Sequence, residues 1–159
     1  MSDVTLKKRP KQVIWHLKDS EAEEALEKRL NLVLGIFSYR SLTQPTSLVA
    51  RLGSDEYFVC GASSDQMETI KDIRAFQRGD AVFELSGNWL APLSEICIHD
   101  FRQTRPGHFL MTTAAGVNVW LLIPDANAPL IMGCDPTYEA YLYSVLERHT
   151  RPLTSKEGV

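Results

Sequence analysis

The 159 residues carry 44% hydrophobic and 23% charged side chains with a formal net charge of -3. That composition excludes a disordered chain, and the acidic balance excludes a positive field over the whole surface for nucleic acid or anionic lipid. The longest strongly apolar runs, 30–37 and 117–124, fall far short of the roughly 20 residues a membrane helix needs.

The length suits one domain, predicted over 12–150 between a flexible basic tail at 1–11 and a flexible tail at 151–159. The basic run is Lys7-Lys8-Arg9-Pro10-Lys11. Residues 12–17 are rich in β-branched and aromatic types and predict a strand with Val13, Trp15 and Leu17 on one face. Ser20-Glu21-Ala22-Glu23 has capping-box spacing, with Asp19 as the competing cap. Apolar residues then recur at Ala22, Ala25, Leu26, Leu30, Val33, Leu34 and Phe37, which predicts a helix running to Gly35 or Phe37.

Residues 48–52 and 57–60 flank Gly53-Ser54-Asp55-Glu56 as a hairpin. Ser63 or Ser64 opens a second predicted helix to Gln77, with Met67, Ile70, Ile73 and Phe76 inward. Strand-like runs at 81–85, 93–99, 108–113 and 117–123 predict an antiparallel meander, followed by a short strand at 130–132. The run 117–123 is apolar on both faces, so cover is expected on both. Asp135-Pro136 starts a last helix to His149, with Tyr138, Tyr141, Leu142, Val145 and Leu146 inward.

The predicted class is therefore α+β: an antiparallel sheet of about six to eight strands with three helices, the last C-terminal. The terminal half, strands closed by a helix, resembles pleckstrin-homology-like domains in architecture, which implies a fold and no function.

Reactive residue types concentrate at Cys97-Ile98-His99-Asp100, with His108 across a turn. A thiol nucleophile beside an imidazole base has the right chemistry, although neighbours two apart on a strand stand parallel rather than in contact. His99 and His108 lack a third ligand at metal spacing, so no metal is expected. Cys134 just before the last helix is a second thiol candidate, because a helix start favours the thiolate. Cys60 reads as core. The three cysteines show no Cys-x-x-Cys pair and read as reduced thiols of a cytoplasmic protein. Phosphate-binding glycine loops and zinc-hydrolase motifs are missing, so no cofactor is expected. Trp89, Trp120, Tyr138 and Tyr143 are the aromatic candidates for binding.

These features favour a non-enzymatic intracellular protein-binding role, of adaptor, chaperone-like or inhibitor/immunity type. Another protein, or a second copy of the chain, is the expected partner. The alternatives are a small thiol enzyme or redox sensor using Cys97 with His99, or Cys134, and a weak nucleic-acid binder acting through the basic tail.

Overall fold

The computed structural model describes residues 3–11, 13–42, 47–62, 64–68, 72–125 and 128–151, without the side chains of 64 and 66. The predicted α+β class is present, but the strands form two antiparallel sheets of five rather than one. The first sheet contains β1 (Thr5–Lys8), β7 (Ala81–Ser86), β8 (Phe109–Ala114), β9 (Val117–Leu122) and β10 (Leu130–Cys134) in the order β1-β7-β10-β9-β8. The second contains β2 (Ile14–Lys18), β3 (Tyr39–Ser41), β4 (Leu48–Arg51), β5 (Glu56–Cys60) and β6 (Ala75–Arg78) in the order β3-β4-β5-β2-β6. The helices are α1 (Ala22–Leu30), α2 (Ser64–Glu68), α3 (Leu90–Ile96) and α4 (Glu139–Thr150).

Side chains alternate across a strand, and here both faces of each sheet are used. Phe83, Leu85, Val119, Leu121, Leu130 and Met132 cluster with Leu93 of α3 and with Leu142 and Leu146 of α4. Their neighbours Val82, Trp120 and Leu122 meet Ile14, Ala50, Phe58 and Cys60 of the second sheet. That sheet's other face places Leu17, Val49, Tyr57 and Val59 with Ala22 and Leu26 of α1. The result is a helix, sheet, sheet, helix stack, which explains why β9 is apolar on both sides.

At the seam between the sheets the Trp120 indole N–H donates to Asp80 Oδ2 at 2.8 Å, and Arg78 Nε donates to Asp80 Oδ1 at 3.2 Å. Asp80 is nearly sealed from solvent, so this pairing satisfies a carboxylate that would otherwise be costly to bury. Gly133 lies against the indole, and a Cβ there would run into the ring.

Several elements depart from the sequence-based expectation. Residues 5–8, expected within the flexible tail, pair with β7. Residues 152–159 of the second predicted tail lie outside the described residues. Asp19, rather than Ser20, serves the start of α1, accepting the Glu21 N–H at 3.0 Å. The helix ends at Leu30 because Asn31 turns left-handed (φ 50°). Beyond it Leu32 and Leu34 are buried while Val33 is exposed, so a period of two replaces the helical period. Residues 75–78, read as the end of a helix, form β6 against β2, which leaves Phe76 exposed. Ile70 falls outside the described residues. The expected strand at 93–99 is largely α3: Pro92 sits in its first turn, where a missing N–H costs nothing, and Leu93 is buried. The pleckstrin-like meander is not formed, since β9 and β10 separate β7 from β8 and α3 interrupts the run. Of the residues expected inward on the last helix, Tyr138 and Tyr141 are half exposed.

Candidate binding edge

The predicted site residues do not converge. Cys97 ends α3, and burial pushes its thiol up to about 11. His99 turns to the Thr104 hydroxyl (Nε2 to Oγ1, 3.0 Å) and packs edge-on against Phe101. Cys134 is buried at the end of β10. Burial, reinforced by the carboxylates of Asp80, Asp135 and Glu139, pushes its thiol up to about 11, the reverse of the lowering expected from a helix start. Cys60 is raised to about 12. All three cysteines are free and held as thiols at neutral pH, the opposite of what a nucleophilic thiolate requires.

The aromatic candidates scatter as well. Trp120 is buried at the seam, and Trp89 stacks edge-on with Phe101 at the start of α3. Tyr143 lies against Phe83 with the Lys8 ammonium 4.6 Å from its ring centre. Tyr138 alone is substantially exposed. Among the described residues no group of three or more His, Cys, Asp or Glu is placed to hold a metal ion.

What the structure does bring together lies along β8, the outer strand of its sheet. Phe109 donates its N–H to the Phe37 carbonyl at 2.8 Å, and the Thr113 carbonyl accepts from the Ile98 N–H at 3.1 Å. Antiparallel pairing alternates, so Phe109, Met111 and Thr113 turn their backbone groups away from β9. Segments 37–38 and 97–98 cover only the two ends of that row. Between them the Met111 N–H and C=O, the Phe109 C=O and the Thr113 N–H face outward without a ladder partner among the described residues.

The gap is walled by apolar side chains in water. Phe37 is 55% exposed, Met111 58% and Ile98 81%, with Ile36 beside them. Ile36, Phe37, His99, His108, Phe109, Leu110 and Met111 line a groove of about 430 Å³. His108 also lines an adjoining hollow of about 490 Å³ with Arg102, Gln103, Thr104 and Arg105. Arg102 is paired with Asp100, whose carboxyl it holds down at about 2. Arg105 is exposed, so this end of the groove is positive on an otherwise acidic chain.

Phe37 is also strained. Its φ of 59° is the left-handed region, where a bulky side chain is a genuine outlier. Its N–H donates to the Arg51 carbonyl, and its carbonyl accepts from Phe109. Arg51 is itself clamped by both Glu23 carboxylate oxygens and by the Leu34 carbonyl. Strain held in place by surrounding bonds is characteristic of positions with a task.

No protein-family model matches the sequence, and no curated protein does. The fold, however, resembles that of known enzymes. It is similar to a chain of heterotetrameric sarcosine oxidase from Corynebacterium sp. U-96, a structure in complex with pyrrole 2-carboxylate. That match has a TM-score of 0.80 at 14% identity and covers 98% of this chain and 88% of that one. It is also similar to the glycine cleavage system aminomethyltransferase T of Bartonella henselae, with a TM-score of 0.72 at 12% identity, covering 91% of this chain and 45% of that one.

These likenesses correct the expectation of a non-enzymatic adaptor, chaperone-like or inhibitor-type protein, because the structures that share its fold belong to enzymes. The thiol alternative gains no support at Cys97 and Cys134, whose thiols burial raises. In the basic tail of the nucleic-acid alternative, Lys8 pairs with Glu139 and Arg9 with Glu84. Sequence reasoning passed over Ile36, Phe37, Ile98 and Met111 as plain core or strand residues. The run Phe109-Leu110-Met111 is apolar throughout and carries no alternation to show how β8 faces, and nothing in the sequence announced that its neighbour would be missing.

Proposed function

We propose that this chain is a subunit of a multi-subunit enzyme of the sarcosine oxidase kind. One observation carries the reading: the fold accounts for nearly the whole of this chain and most of a chain in a heterotetrameric oxidase, yet under half of the aminomethyltransferase chain. The unit thus stands as a separate chain in the first enzyme and as part of a longer one in the second. Exposed apolar residues around β8 support the reading, since side chains such as Ile98 and Phe37 gain by being covered. In this reading the protein is a single compact unit that works in the cytoplasm with its thiols reduced, and its partner is another polypeptide.

Gentle purification of the full-length chain from its native source, followed by size-exclusion chromatography and an oxygen-consumption assay with sarcosine, tests it. The expected result is elution with larger companion chains at fixed stoichiometry, with amine-dependent oxygen uptake in the same fraction. Elution as a lone monomer, with that oxygen uptake in other fractions, overturns the proposal.

A further inference from the structure

We infer that the recessed gap in β8 receives a short extended segment of a partner polypeptide, with an apolar side chain in the groove and an acidic residue at the Phe109 end. The inference rests on the subunit reading for the partner's existence, but the kind of segment is argued from the gap alone.

The outward row from Phe109 to Thr113 alternates donors and acceptors at strand spacing over about 13 Å. A polypeptide backbone matches that alternation as an added strand does, and side chains beside it supply specificity. Phe37, Met111 and Ile98 offer apolar contact on the flanks, and Ile36 extends it. Charge selects the polarity of the segment: the exposed Arg105, with His108 between the two hollows, lies at one end, where Arg102 is already neutralised by its pair with Asp100. A carboxylate on the incoming segment therefore has a partner in Arg105 there.

The shape of the gap argues against a second copy as the occupant. Segments 37–38 and 97–98 stand in the plane where an added strand would run, so the open backbone groups are set back between them. Two identical recessed edges cannot reach one another. A protruding tail or loop can.

The probe is a library of acetylated, amidated octapeptides, acidic at the first two positions and with Val, Ile, Leu or Phe alternating through the centre. Binding is read by fluorescence polarisation, and contact is read by hydrogen exchange at single amides. The inference expects members that bind and slow exchange at the Met111 and Thr113 amides by about tenfold, as backbone pairing requires. N-methylation of the central peptide amide should weaken binding about tenfold, because it removes the donor that faces β8. Met111→Pro should do the same, since its N–H faces outward and proline is tolerated there. Arg105→Glu should weaken acidic members and spare their amide analogues.

Binding that leaves the Met111 and Thr113 amides unprotected overturns the inference. So does indifference to N-methylation, or no binding up to about 1 mM, beyond which recognition is negligible. A homodimer in sedimentation that Met111→Pro dissociates would replace the partner segment by a second copy. The subunit reading fails separately. Peptides that bind a chain without companion subunits leave the gap standing, and a native complex indifferent to Met111→Pro removes the gap but keeps the subunit.

Discussion

The two outer strands of one sheet are guarded in opposite ways. β1 presents Lys7, Lys8 and Arg9 beside its edge, with Lys8 tied to Glu139 and Arg9 to Glu84, and charge of this kind is a standard defence against strand addition. β8, four positions across the same sheet, leaves its central backbone groups unpaired among the described residues, beside Phe37, Ile98 and Met111. Both edges share the same core, so the contrast does not arise from stability. It marks the β8 side as the one left to be covered by something else.

The most drastic way to break the comparison is to disturb what both edges share. Gly133→Ala forces a methyl into the Trp120 ring at the seam and should cost about 3 kcal/mol, the upper end of the usual range for overpacking. The thermal midpoint should fall by roughly 10 °C, with β1 and β8 losing exchange protection together. A change of less than about 1 kcal/mol would mean that the indole moves freely, contrary to its bond to Asp80.

A pair of proline substitutions sharpens the contrast along β8 itself. Leu110 directs its N–H into the β9 ladder, so Leu110→Pro should cost about 3 kcal/mol, while Met111→Pro should cost less than about 1 kcal/mol because its N–H faces out. Equal losses in urea denaturation would refute the facing assigned to the strand.

Alkali probes the far end of the gap, where Cys97 pairs with Ala114. Its folded thiol is raised to about 11, above the roughly 8.5 of an unfolded cysteine. The contribution is complete below that lower value and is lost as pH climbs toward 11, because the unfolded chain ionises first. At pH 10 the loss is on the order of 1 to 2 kcal/mol, and Cys97→Ser should make the decline in urea midpoints from pH 8 to pH 10.5 shallower by that amount, the raised Cys60 and Cys134 supplying the rest.

The same contrast shows what was readable beforehand. The hairpin, β7 and β9 were legible as short runs of β-branched, aromatic and aliphatic residues bounded by turn residues, and the last helix by its Asp135-Pro136 start and the spacing of Leu142 and Leu146. α1 was legible only to Leu30: Val33, Leu34 and Phe37 continue the helical spacing by chance, although Val33 and Phe37 are exposed, and the left-handed turn at Asn31 leaves only a weak mark. β6 and α3 were misread because pairing with β2, and burial of Leu93 against α4, outweigh local propensity in short segments. The open edge was not legible at all. It depends on which strands fail to become neighbours, and that is settled by the topology of the sheet rather than by any run of residues.

Smaller effects concern the side chains at each edge. At Phe37 the usual order of alanine above glycine should invert. Glycine adopts a φ of 59° freely, so Phe37→Gly should be more stable than Phe37→Ala by about 1 kcal/mol. Both variants should weaken peptide binding alike. Thermal melts of the two proteins decide it, and the normal order would mean that the strain is relaxed in solution.

Lys8→Ala should have the smallest consequence, and its smallness is informative. The residue makes one exposed ion pair with Glu139 and sits over the Tyr143 ring. Such contacts contribute about 0.5 kcal/mol, so the melting midpoint should shift by no more than about 2 °C. If the charges beside β1 act mainly to repel added strands, their removal should appear instead as concentration-dependent self-association in sedimentation, at unchanged stability. A monomer that persists at every concentration after Lys7, Lys8 and Arg9 are all replaced by alanine would show that β1 needs no guard, and the difference between the two edges would then rest on β8 alone.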